Sequence, residues 1–152
     1  NRHGLKPSHL KVAPLGYFKQ NCASCHGENG AKYGSGLRSK SEADLKAAIE
    51  RMAVTAKAPL TPKDIAAQVA YHRAIAGKKP FAAWTGKAGN VLTGEMTPGA
   101  KVTASAGKVT SKQGSWKVEL PAGMTPDQVV LTVASGSAKL KLELAAAAYV
   151  GP

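Results

Sequence analysis

The chain has 152 residues, with 21 Lys and Arg against 9 Asp and Glu, and a formal charge of +12. That length allows one ordinary domain or two very small ones, and no apolar run is long enough to span a bilayer as a helix. The lysines are scattered and no nucleic-acid module accompanies them, which argues against a nucleic-acid partner and for acidic partners or surfaces.

Up to Gly77 the apolar residues recur at helical spacing. A first helix is predicted over 13–25, with Pro14 tolerated in its first turn. Residues 27–40, rich in Gly and Ser, read as loop. A second helix starts after Ser41, with Asp44 three residues on in a capping-box-like arrangement. Its apolar stripe is Leu45, Ala48, Ile49 and Met52. The third helix begins with Thr61 as cap and Pro62 at the first helical position. Its stripe is Ile65, Val69, Tyr71 or His72, and Ile75, and Gly77 ends it.

After Gly77 the pattern changes. Residues 80–89, with Pro80 and Gly86, read as a linker between an all-α part, 1–79, and a β part, 90–152. Strand signals lie at Val91-Leu92, 101–104, 116–120, 129–133 and 138–144. Turn residues separate them, such as Thr97-Pro98-Gly99 and Ser135-Gly136-Ser137. Five or six short strands at this spacing predict a small all-β sandwich or barrel, with Trp116 in its core. The expected fold class is therefore α+β in two parts. Residues 1–80 hold 14 Lys and Arg against 5 Asp and Glu, and residues 81–152 hold 7 against 4, so the basic excess belongs mainly to the first part.

The segment richest in chemistry is Cys22-Ala23-Ser24-Cys25-His26. Cysteines at i and i+3 lie on one face of a helical turn. Each can form a thioether with one vinyl group of the same porphyrin, and His26 follows to ligate the iron. The run reads as a covalent c-type haem attachment site. A structural zinc site would need two more ligands; there is no other cysteine, and His3, His9 and His72 form no suitable pair. A thioredoxin-like motif would need a strand before Cys22, where the sequence looks helical. A plain disulfide between Cys22 and Cys25 is the bland alternative.

Other residues extend the pattern. Phe18 stands four residues before Cys22, Gly27 follows His26, Gly30, Gly34 and Gly36 precede Leu37, and Tyr71 lies in the last helix. With these, residues of about 8–77 resemble a class I monohaem c-type cytochrome domain. Residues 91–144, through Pro98-Gly99-Ala100-Lys101-Val102 and the stretch from Gly114 to Gly123, are similar to the immunoglobulin-like modules of exported proteins.

The resemblance implies an all-α cytochrome c-like domain carrying one covalent haem c, with Phe18 or Tyr17 packed on Tyr71. It implies Cys22, Cys25, His26, Met52, Leu37 and Arg38 as the haem-binding set. His26 and Met52 would hold the iron, Leu37 would wall the pocket, and Arg38, with Lys40, would pair with a propionate, a solvated loop charge being the bland reading. Met52 falls nine residues before Thr61, where the family places its distal ligand between the last two helices. Its bland reading is a continuation of the helical stripe. His9, His3 and His72 are rival sixth ligands, and Met96 and Met124 are remoter ones. Ser35 replaces the family's loop proline, and the Met-Pro ligand dipeptide is missing.

The function these features imply is that of an exported electron carrier rather than an enzyme, in the periplasm or outside the cell, serving redox partners with acidic docking surfaces. Asn1 opens with no charged-then-apolar leader, as in a processed chain. The β part would serve docking, assembly or self-association. The alternatives are a structural haem subunit of an extracellular assembly or larger dehydrogenase and, less favoured, a gas-binding or catalytic haem.

Overall fold

The computed structural model describes residues 8–21 and 41–151. Among these, helix α1 runs Pro14–Asn21, α2 Glu42–Thr55 and α3 Pro62–Gly77. The helix starts are as the sequence predicts. The Ser41 side chain caps α2 by accepting from the Asp44 N–H at 3.1 Å. At α3, Thr61 and Asp64 form a reciprocal capping box, and buried Asp64 also accepts from the backbone N–H of Val12 at 3.3 Å. That bond ties the N-terminal arm to α3. The left-handed C-terminal position of α3 is taken by Lys78, at φ 55, and not by Gly77.

Eight strands follow: β1 (Ala82–Ala88), β2 (Val91–Met96), β3 (Lys101–Ala104), β4 (Lys108–Lys112), β5 (Ser115–Glu119), β6 (Val130–Ser135), β7 (Ala138–Glu143) and β8 (Tyr149–Val150). They form a five-stranded sheet, in the order β4-β5-β2-β1-β8, and a three-stranded sheet, β3-β6-β7. Every pairing is antiparallel. The inward residues of both sheets share one core, in which Trp84, Leu92, Trp116 and Val118 meet Val102, Leu131, Val133 and Leu142.

The helices pack on the outer face of the five-stranded sheet. Their cluster joins Leu10, Phe18, Ala67, Tyr71 and Ala74 to Phe81, Ala83 and Ala148. A third cluster, Leu45, Ile49, Ile65 and Val69, joins α2 to α3. Strand β1 serves two cores by simple alternation: Ala82 and Trp84 face the other sheet, and Ala83 faces the helices. The layers are helices, then the larger sheet, then the smaller one.

This architecture overturns the expected class I cytochrome c domain with an appended immunoglobulin-like module, and with it the two-part fold class. The described residues are predominantly β, and no all-α cytochrome c-like domain stands by itself. The helices close their core only by using residues of β1 and of the segment before β8. Among the described residues no group of three or more His, Cys, Asp or Glu side chains gathers to hold a metal. The stretch 80–89, read as a linker, is strand over Ala82–Ala88. No helix among the described residues is long and apolar enough to cross a membrane.

Candidate functional site

The described part of α1 reaches Asn21, the residue before Cys22 in the sequence. Cys22, Cys25, His26, Leu37, Arg38, Lys40 and His3 lie outside the described residues. What the structure supplies is the frame that leads into them.

Helix α1 is held at its start and along its length. At the N-terminal end, the Glu95 carboxylate of β2 accepts from the backbone N–H of Leu15 at 2.8 Å and of Gly16 at 3.1 Å. Free N–H groups and the positive end of the helix dipole make this a favourable place for an anion. Burial nonetheless holds the Glu95 carboxyl above the usual carboxylate range, with the two N–H donors pulling the other way. Tyr71 lies near enough to respond: burial, then the Glu95 charge, push its phenol up to about 12.

Along its length α1 lies on α3. The Gln68 side-chain N–H donates to the Pro14 carbonyl at 2.8 Å. One turn further, Phe18 meets Tyr71 edge-on at 5.5 Å between ring centres, the aromatic contact the sequence suggests. Phe18 also meets His72 edge-on at 5.4 Å. The Tyr17 hydroxyl donates to the Ala58 carbonyl at 2.7 Å, which fixes the loop after α2 against α1.

Met52 sits inside α2, not in the loop that follows it. It is half-buried and packs against the cluster containing Phe18 and Tyr71. The deeper stripe of α2 is Leu45, Ile49 and Ala53, at i, i+4 and i+8. His72, a rival ligand in the sequence, is only 3% exposed, and its Nδ1–H donates to the Gln68 carbonyl at 2.8 Å. His9 lies in the N-terminal arm, edge-on to Trp84 at 5.8 Å. Met96 is buried in the core between the sheets, with Met124 packed against that core.

Among the described residues, then, the structure brings Met52 to the apolar cluster that holds α1. It leaves His9, Met96 and Met124 with the sheets. The donor chemistry of Cys22, Cys25, His26 and Met52 suits one covalently attached haem: two thiols at thioether spacing, one imidazole, and one thioether already in apolar surroundings. Glu95 and Gln68 are the positioning residues that sequence reasoning missed. Glu95 reads locally as an outward residue of an alternating strand, and its partners are 80 positions away. The Oε1 of Gln68 is buried and has no hydrogen-bond partner among the described residues. No family model, curated protein or solved structure matches the chain.

Proposed function

We propose that this protein is an exported monohaem electron carrier, with one haem c bound covalently through Cys22 and Cys25. His26 and Met52 would hold its iron, Leu37 would wall the pocket and Arg38 would pair with a propionate. The observation that carries the reading is the Cys22–His26 run of the sequence, which follows the helical stretch Pro14–Asn21, whose N-terminal end Glu95 holds. Bound there, the haem supplies reversible one-electron chemistry, while the protein supplies ligands, burial and charge. A thioether opposite an imidazole favours reduced iron and raises the potential. Phe18, four residues before Cys22 in the sequence, shares its cluster with Met52, which supports Met52 over His9 as the distal ligand.

The charge of +12 favours encounter with an acidic redox partner, so transfer rates should fall as ionic strength rises. The rival use, a structural subunit joined by edge pairing, gains little from the exposed edges. Strand β4 carries Lys108 and Lys112, and β7 carries Lys139 and Lys141. Edge lysines of this kind oppose strand-to-strand association.

The test is the visible spectrum of the reduced protein with and without carbon monoxide, in the wild type and in Met52→Leu. Leucine keeps most of the packing and removes the sulfur. The wild type should retain haem after denaturation and show no spectral change with the gas. Met52→Leu should bind it promptly and have a lower potential. A wild type that binds carbon monoxide at once removes Met52 from its role. A chain that takes up no covalent haem when expressed with haem-attachment machinery removes the proposal itself.

A further inference from the structure

The helices cover only part of the outer face of the five-stranded sheet. Among the described residues, the helical cluster meets the sheet at Ala83 of β1 and Ala148 before β8, Glu95 of β2 holds α1, and no residue of β4 or β5 belongs to that cluster. On the β4-β5-β2 side lies a groove of about 360 Å³. It is lined by Thr85, Thr93, Thr110 and Ser115, which carry hydroxyls, and by Lys112 and Lys117. Lys117 stands between Thr93 and Thr110 across the strands, and Lys112 stands opposite Ser115, so among the described residues no carboxylate is the direct cross-strand partner of either lysine. Glu95, the acid of the Ser115 row, is turned onto α1. The groove is kept open by Gly86, opposite Thr93 at the β1 bulge, where an added Cβ would lie 2.6 Å from the Thr93 hydroxyl.

We propose that this groove binds an acidic polysaccharide, a sugar chain bearing carboxylates. Closely spaced hydroxyls exchange hydrogen bonds with sugar hydroxyls, and the two ammonium groups take the acid groups. Docking surfaces for proteins concentrate aromatic, Met and Arg side chains, and this groove has none of them exposed. Trp116 lines it only from beneath, at 2% exposure. The same lack of an exposed ring disfavours single-stranded nucleic acid, which needs stacking platforms. This site does not depend on the haem.

The experiment titrates the full chain with polygalacturonate, neutral dextran and poly-glutamate of matched charge. Polygalacturonate should bind more tightly than poly-glutamate, and dextran should not bind. Lys112→Gln/Lys117→Gln should weaken binding about tenfold. Thr93→Val/Thr110→Val, which leaves the charge unchanged and keeps β-branched residues in the strands, should weaken it about fivefold. Equal or tighter binding of poly-glutamate would mean that the groove reads charge alone, as an acidic protein partner would, and would overturn the proposal. So would two double variants that bind as the wild type does, since binding would then come from the diffuse positive charge.

Discussion

At Gly94 the fold admits no side chain. This glycine of β2 faces inward opposite Trp116, and an added Cβ would collide with the Ala83 carbonyl and the Trp116 indole. Neither neighbour can yield: Trp116 is 2% exposed and its ring N–H donates to the Glu95 carbonyl at 3.1 Å. Gly94→Ala should therefore cost about 3 kcal/mol, at the upper end for overpacking a core. Urea unfolding would register this as a lower midpoint with an unchanged slope. Gly136 differs. It needs its left-handed backbone, at φ 59 in the β6–β7 turn, but a Cβ there meets nothing within 4 Å. Gly136→Ala should cost only about 1 kcal/mol, the strain of the backbone alone. The sequence marks Gly136 as a turn through its serine neighbours, whereas nothing local marks Gly94, because the ring that fills its space lies 22 residues on.

Elements were legible where their own residues decide them. The caps of α2 and α3 were readable because Ser41 with Asp44, and Thr61 with Asp64, are local pairs. Strands β3, β5, β6 and β7 follow alternating apolar residues. Three strands escape such a reading, each for a physical reason. Strand β1 is Ala-Ala-Trp-Thr-Gly-Lys-Ala, with Thr85 its sole β-branched residue, and it is held by burial on both faces. Strand β4 is an exposed edge of polar residues, and β8 has two residues. The Glu95 bridge was also illegible, and it has a pH signature. Its folded pKa lies above the ordinary carboxylate value. Between those two values the folded protein holds a proton that the unfolded chain has lost. Stability from this group is fully present below the unfolded pKa and declines as pH rises through the folded one. Glu95→Gln should flatten that decline, seen as unfolding midpoints that vary less as pH rises above the ordinary carboxylate range. A slope unchanged by the substitution would assign the pH dependence to other groups.

For the whole molecule, the question is whether the helices can live without the sheets. Helix α1 meets α3 through Phe18, Tyr71 and Gln68, and α2 meets α3 through Leu45, Ile49, Ile65 and Val69. These contacts leave one side of the helical layer open. That side is filled by Phe81, Ala83 and Ala148, with Tyr149 against them. Phe81 is fully buried, tilted on Tyr71 at 5.3 Å and stacked near Tyr149 at 6.3 Å. The arm before α1 joins in, with the Leu10 N–H donating to the Trp84 carbonyl at 2.9 Å. Burying one such aromatic ring is worth about 2–3 kcal/mol, a large share of the 5–15 kcal/mol typical of a small domain. A fragment of residues 1–79 loses Phe81, Ala83, the Glu95 cap and the β1 backbone together. It should show helical content well below its share of the intact chain, and no cooperative thermal transition, by far-ultraviolet circular dichroism. The intact chain should unfold in one step, with the signal of its two tryptophans and its helical signal changing at the same temperature. A fragment that melts cooperatively by itself would show that the helical layer carries its own core and that the shared cluster adds little.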